Sequence, residues 1–105
     1  MSRIVVLGGA ESGAGAAVLA KVKGFDVFLS DNGSIKQEYK DILEHWDIAY
    51  EEGGHTEALI LNADEVVKSP GIPYSVPIVK KLEAQGTHII SEIEFAARYD
   101  NAKKI

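Results

Sequence analysis

"RIVVLGGAESGAGAAVLAKVKG", residues 3–24, is the stretch that decides the fold class. Residues 3–8 are rich in β-branched side chains and almost wholly apolar, which is typical of a strand buried on both faces of a parallel sheet. A glycine-rich turn follows, and the alanine-rich run at 13–24 has the composition of a helix that Gly24 ends. Strand, glycine turn and helix in this order predict the first unit of an α/β fold.

The rest of the chain repeats this alternation. Strand-like runs lie at 25–30, 47–52, 63–69 and 87–91, and helical patterns lie at 35–46, 56–62, 75–86 and 92–100. Five strands separated by helices predict a parallel sheet covered on both faces, in a three-layer α/β/α arrangement. Right-handed crossovers then give a doubly wound, Rossmann-like sheet with strand order 3-2-1-4-5.

Composition and net charge exclude several classes of protein. The 105 residues suit a single domain spanning 1–105, and a net charge of -5 without a cluster of Lys or Arg argues against a nucleic-acid partner. The absence of cysteine excludes a disulfide scaffold and a thiolate metal site. No stretch approaches the roughly 20 apolar residues of a membrane span. The start "MSRIVVLGG" lacks the pattern of a signal peptide, so the expected location is cytoplasmic, with no membrane partner.

The strand order predicts where a ligand would bind. Chain direction reverses between strands 1 and 4, and open α/β sheets bind ligands at the carboxyl ends of the strands beside such a switch point. The loops on either side are "GGAESG" (8–13) and "SPGIP" (69–73). The proline-stiffened second loop could simply end a strand, but in this position it could also form the wall of a pocket for a flat ring.

The glycine loop allows two interpretations. Against the dinucleotide fingerprint G-x-G-x-x-G, Gly8 and Gly13 match, whereas Ala10 occupies the position of the middle glycine and the carboxylate of Glu11 would repel phosphate. The free N–H groups of the following helix and the Ser12 hydroxyl nevertheless favour an anion. The alternative is a tight turn whose glycines serve packing only.

Asp31 also allows two roles. It ends the second strand, 18 residues after Gly13, where a dinucleotide-binding fold holds the ribose 2′-hydroxyl with an acid. It also lies in "SDNGS", a run of turn formers, where an aspartate commonly stabilises the turn itself.

No catalytic group is predicted in this chain. Nothing matches the phosphate-binding pattern G-x-x-x-x-G-K-[ST], and Glu92 and Glu94 are expected to complement a helix N-terminus behind Ser91 as its N-cap. The histidines lack metal-ligand spacing and are interpreted as structural; they are His45, His55 and His88. We therefore predict a binding domain with neither a catalytic residue nor a metal site.

Four segments together resemble the N-terminal domain of the Mur ligases, and most closely those that join D-glutamate to UDP-N-acetylmuramoyl-L-alanine in peptidoglycan synthesis. They are "VVLGGAESGAG", "LSD", "ADEVVKSPGIP" and "GTHIISEIEFAAR". The resemblance covers essentially the whole chain. It implies a three-domain enzyme whose first domain binds the UDP part of the substrate. A central domain would bind ATP and Mg²⁺, and a C-terminal domain would receive the amino acid. Residues 1–105 would then be the first domain alone, inactive without the other two.

The resemblance also implies roles for individual residues. The glycine loop would lie against the diphosphate, the end of strand 2 would hydrogen-bond the uracil edge, and the "SPGIP" turn would line the uracil and ribose. Glu11 departs from the family pattern, which has an apolar residue there, so its side chain is expected to point away from the diphosphate. The implied UDP-binding residues are Gly8, Glu11, Ser12, Gly13, Asp31, Asn32, Ser69, Pro70 and Gly71.

Two other classes of protein share this pattern of elements. A small NAD(P)-binding Rossmann module fits Asp31 but not Ala10 and Glu11. A response-regulator-like domain needs an aspartate after the third strand, which here ends "YEEGG".

Overall fold

The computed structural model describes residues 2–99 of the chain, and within them strands and helices alternate throughout. The predicted end of the last helix at residue 100, like both ends of the predicted domain, lies outside the described residues. The elements are β1 Arg3–Leu7, α1 Glu11–Val22, β2 Asp26–Asp31, α2 Gln37–His45, β3 Ala49–Glu52, α3 Glu57–Ile60, β4 Glu65–Lys68, α4 Pro77–Ala84, β5 His88–Ser91 and α5 Glu92–Arg98.

The five strands form one parallel sheet in the order β3-β2-β1-β4-β5, which confirms the predicted topology. In the register of the central strand, Leu7 pairs with Ser30 of β2 on one side and with Lys68 of β4 on the other. The three strands therefore end level with one another, and the loops that follow them start side by side.

The two faces of the sheet bury alternate residues of β1. Ile4 and Val6 pack on the side of α1, α2 and α5, whereas Val5 and Leu7 pack on the side of α3 and α4. All four side chains are fully buried. Each contributes roughly 1.5–3 kcal/mol of transfer free energy, so the three-layer arrangement follows directly from the apolar strand.

The ends of the helices differ slightly from the predicted ones. α1 begins at Glu11 rather than at residue 13, with Ala10 as an N-cap whose side chain makes no capping hydrogen bond. At α5, Ser91 is the N-cap, as predicted, and forms a reciprocal capping box with Glu94. Within the described part of the chain, no helix is long and apolar enough to cross a membrane.

Candidate functional site

A crevice of about 580 Å³ lies at the carboxyl ends of the central strands, at the predicted switch point. Its size is in the ordinary range for small-molecule sites. The loops after β1, β2, β3 and β4 all contribute to it, together with the first turn of α4. Its lining residues are Gly8, Ala10, Asp31, Asn32, His55, Glu57, Ser69, Gly71, Ile72, Pro73, Val76, Pro77 and Ile78.

Gly8 brings two of these loops together. Its φ of +109° lies in the region that side chains other than glycine rarely adopt, and its N–H donates to the carbonyl of Ser30 at 2.9 Å. A Cβ placed on Gly8 would lie 2.7 Å from the Cβ of Ser69. Only glycine therefore permits this approach of the loop after β1 to the loop after β4.

The N-terminus of α1 opens beside Ala10, which lines the crevice. No side chain caps this helix, and the N–H groups of residues 11–13 make no hydrogen bond to another group within residues 2–99. These free donors and the positive end of the helix dipole favour an anion. Because no Lys or Arg among residues 2–99 lines the crevice, an anionic ligand there would depend on the backbone.

The hydroxyl of Ser12 points instead to α5. Its Oγ donates to Oε1 of Glu92 at 2.6 Å. Glu92 is only 8% exposed, and its Oε2 has no hydrogen-bond partner within the described residues. The expectation that Glu92 serves only the helix dipole was therefore incomplete, because its carboxylate also links α5 to the glycine loop.

Two predicted binding residues, Ser12 and Pro70, lie outside the crevice. They line a second, mainly apolar recess of about 480 Å³ between α1 and α5. Glu11 is exposed and Gly13 is buried under the loop, and neither lines the crevice or this recess. The structure thus brings together five of the nine predicted residues, namely Gly8, Asp31, Asn32, Ser69 and Gly71.

The carboxylate of Asp31 accepts hydrogen bonds from the backbone of two turns. Oδ2 accepts from the N–H of Gly9 at 2.7 Å, and Oδ1 accepts from the N–H of Gly33 at 2.8 Å. The turn-stabilising role is thus present. Each oxygen retains capacity for one more hydrogen bond, so the same carboxylate can still meet a ligand from the crevice.

The side chain of Lys68 braces the rigid "SPGIP" turn by hydrogen bonds to its backbone. This lysine is 7% exposed, and its Nζ donates to the carbonyl oxygens of Ser69 at 3.0 Å and Ile72 at 2.5 Å. The same ammonium lies 4.6 Å from the ring centroid of Tyr74, a cation–π distance. A charged residue at the end of an apolar strand was the available sequence signal for this role, which was not predicted for Lys68.

His55 lines the crevice but was not among the predicted site residues. Its Nδ1 lies 2.7 Å from Oγ of Ser30, a fully buried residue of β2. Ser30 Oγ also lies 2.8 Å from Oε2 of Glu51. A histidine that follows "GG" at the end of a strand neighbouring β2 belongs to the same edge of the sheet, and this signal could have identified it.

The carboxylate of Glu51 is stabilised in its charged form. Burial alone would raise its pKa, but the backbone N–H and hydroxyl of Thr56 and the hydroxyl of Ser30 donate to it and hold its pKa below the ordinary value. Among residues 2–99 no cluster of three or more His, Cys, Asp or Glu side chains could hold a metal ion.

A doubly wound parallel sheet with a crevice at its switch point defines a Rossmann-like α/β domain. The sequence model of the MurD N-terminal domain matches residues 3–76. The chain therefore belongs to the family of MurD N-terminal domains.

Curated relatives agree with this assignment. The chain is 68% identical over 105 residues to the UDP-N-acetylmuramoylalanine–D-glutamate ligase of Bacteroides thetaiotaomicron, and the match covers 100% of the chain and 24% of that protein. With the ligase of the same name from Porphyromonas gingivalis W83 it shares 57% identity over 99 residues, which is 94% of the chain and 22% of the relative. The chain thus spans about a quarter of the length of these relatives.

Solved structures show the same fold. A pseudomurein peptide ligase type C from Methanothermus fervidus superposes with a TM-score of 0.80 at 30% identity, over 98% of this chain and 21% of that one. A UDP-N-acetylmuramate–alanine ligase from Thermotoga maritima gives a TM-score of 0.79 at 18% identity, over 93% of this chain and 22% of that one. At that identity the second comparison supports the fold alone.

Proposed function

We propose that this chain binds the UDP moiety of UDP-N-acetylmuramoyl-L-alanine, as the first domain of an ATP-dependent, D-glutamate-adding ligase of peptidoglycan synthesis. The observation that carries the proposal is the crevice, where the uncapped N-terminus of α1 meets the rigid turn held by Lys68. The relatives' name, which contains both the UDP-sugar and D-glutamate, supplies the ligand.

The diphosphate would lie at the start of α1. Gly8 shapes the loop, and the backbone N–H groups of Glu11, Ser12 and Gly13 supply donors that no other group within residues 2–99 uses. The exposed side chain of Glu11 can turn away from the phosphates. The Ser12 hydroxyl would first have to leave Glu92, so the backbone carries most of this interaction.

The uridine would occupy the other end of the crevice. Asp31 and Asn32 would meet the polar edge of the uracil, and Ser69 and Gly71 would lie along the base and ribose. Pro70 would act by stiffening this wall, because it does not line the crevice itself.

The remaining parts of the reaction belong to regions beyond this chain. The 105 residues contain no G-x-x-x-x-G-K-[ST] pattern, so ATP and Mg²⁺ would be held by the central domain, where they supply the activation of the alanyl carboxylate. A C-terminal domain would position D-glutamate. Alone, the chain is expected to bind the nucleotide in the cytoplasm and to catalyse nothing. The comparisons with ligases do not favour the alternative of a small NAD(P)-binding module.

Amide chemical-shift titration of the chain tests the proposal. UDP should shift the amides of Ser12, Asp31, Asn32 and Gly71, whereas NAD should leave them unchanged. Asn32→Ala should weaken UDP binding, and Ser34→Ala, an exposed neighbour without a side-chain hydrogen bond within residues 2–99, should not. Saturable NAD binding at residues 8–13 would overturn the proposal, as would no response to either UDP or the complete UDP-N-acetylmuramoyl-L-alanine.

A further inference from the structure

The hydroxyl of Ser30 has three polar neighbours and one proton. Its Oγ lies 2.8 Å from Glu51 Oε2, 2.7 Å from His55 Nδ1 and 3.3 Å from the carbonyl oxygen of Gly54. A serine hydroxyl donates one hydrogen bond and accepts up to two. The directions of the two shorter contacts, with Glu51 and His55, can therefore be worked out by elimination.

The serine proton goes to Glu51. A charged carboxylate is an acceptor only, and Thr56 already donates both its N–H and its hydroxyl to this one. If Ser30 pointed its proton elsewhere, two bare oxygens would face each other at 2.8 Å. Because Ser30 donates to Glu51, its contact with His55 requires the imidazole to donate, so Nδ1 carries a proton.

A neutral imidazole with a proton on Nδ1 has a bare Nε2 that accepts hydrogen bonds. No group within residues 2–99 forms a hydrogen bond with that nitrogen. His55 lines the crevice, and the N–H of the preceding Gly54 donates to the carbonyl of Asp31 at 3.4 Å, so His55 lies near the end of β2, where the uridine is proposed to bind. The network thus fixes the tautomer of the His55 ring and leaves its Nε2 without a hydrogen-bond partner among the described residues.

We infer that His55 is a specificity-determining residue of the nucleotide site, whose Nε2 accepts a hydrogen bond from a donor of the bound uridine. Uridine offers two kinds of donor, the imide N3–H of the base and the ribose hydroxyls. Ser30 and Glu51 act as positioning residues, because they set the tautomer without touching the ligand. This inference rests on the proposed UDP-binding function and adds a contact to it.

Two substitutions of His55 distinguish the roles of its two ring nitrogens. The amide nitrogen of Asn can take the place of Nδ1 and keep the bond to Ser30, whereas nothing replaces Nε2. Gln does the opposite, because its amide reaches the position of Nε2. We expect His55→Asn to keep the melting temperature and to weaken UDP binding about fivefold, the scale of one net hydrogen bond. His55→Gln should restore most of the affinity while lowering the melting temperature.

Nucleotide analogues identify the donor. Affinities of the chain and of His55→Asn are measured by calorimetry at about pH 8, where histidine side chains are ordinarily neutral. The probes are UDP, 3-methyl-UDP, 2′-deoxy-UDP and 3′-deoxy-UDP. The wild type and His55→Asn should bind one analogue equally well, namely the one that lacks the hydrogen-bond donor to Nε2. Equal losses for all four probes, or no loss for any of them, would overturn the inference.

The tautomer is tested independently of any ligand. Long-range ¹H–¹⁵N correlation spectra of the free chain should show a protonated Nδ1 and a bare Nε2 for His55, and the opposite pattern would overturn the inference. If the chain binds neither UDP nor the complete UDP-N-acetylmuramoyl-L-alanine, the proposed function and this inference both fail. If it binds UDP with the expected shifts but His55→Asn binds equally well, only this inference fails.

Discussion

Ser12 and Glu92 are 80 positions apart in the chain, and their side chains form a 2.6 Å hydrogen bond that joins the glycine-rich loop to the start of α5. The carboxylate is nearly buried, and its second oxygen has no partner within the described residues. The Ser12 hydroxyl is therefore the contact that compensates the burial of this acid.

Replacing Ser12 tests this compensation. Ser12→Ala should lower the free energy of unfolding by about 1–3 kcal/mol, because it leaves a buried carboxylate without its donor. Ser12→Thr retains the hydroxyl and should stay close to the wild type. Urea denaturation of the three proteins gives the comparison, and equal stability of the Ala and Thr variants would show that the hydrogen bond contributes nothing.

Gly13 and Gly15 lie in the same helix and should respond in opposite directions to alanine. A Cβ on Gly13 would lie 1.9 Å from the carbonyl oxygen of Gly8, whereas a Cβ on Gly15 would meet nothing within 4 Å. Gly13→Ala should therefore destabilise the domain by at least about 2 kcal/mol through forced backbone movement. Gly15→Ala should stabilise it by about 0.5–1 kcal/mol, the usual helix preference for alanine. Thermal unfolding of both variants tests this, and a stable Gly13→Ala protein would contradict the packing role.

The fold could be predicted from the sequence because simple rules determine it. A strand such as β1, apolar on both faces, requires helices above and below it, and right-handed crossovers leave few strand orders. The same rules predicted that the loops containing Gly8 and Ser69 would meet, and they do, with a Cβ on Gly8 reaching within 2.7 Å of Ser69. Main-chain topology thus locates the crevice without knowledge of any side chain.

The side-chain contacts of the site could not be predicted in the same way. The link from Ser12 to Glu92 depends on how closely α5 approaches α1, and no pattern along the sequence reports that distance. His55 was interpreted by its spacing to other possible metal ligands, although its ring lies within hydrogen-bond distance of Ser30 on β2, which in turn donates to Glu51 on β3. The binding role of each residue in the predicted set remains a prediction.

Lys68 should control the rigidity of the crevice wall. Lys68→Met removes the ammonium that bridges the carbonyls of Ser69 and Ile72, and it should lower the free energy of unfolding by about 1–3 kcal/mol. Amide hydrogen exchange at Gly71 and Ile72 should become faster, and UDP should bind more weakly. Lys80→Met is the matched control, since Lys80 is exposed and makes no side-chain hydrogen bond within residues 2–99. Unchanged exchange in Lys68→Met would exclude the bracing role.

Glu65 should make the domain sensitive to acid. The two guanidinium nitrogens of Arg98 donate to its carboxylate at 2.9 and 2.7 Å. These bonds, although opposed by burial and aided by the nearby His88, hold the pKa of Glu65 below its ordinary value of 4.5. The Glu65 carboxyl group loses its proton more readily in the folded state than in the unfolded state. The charged carboxylate therefore stabilises the fold at pH values above its ordinary pKa. That contribution is lost as the pH falls through the lower folded value.

The substitution Glu65→Gln isolates this contribution. Urea denaturation between about pH 6 and pH 3 should show the wild type losing stability more steeply than the variant below about pH 4.5, so that the two curves converge in acid. Glu83→Gln is the control, because Glu83 is exposed and forms no ion pair within residues 2–99, and it should follow the wild-type curve. Parallel curves for the wild type and Glu65→Gln would mean that the pair with Arg98 does not stabilise the charged carboxylate in solution.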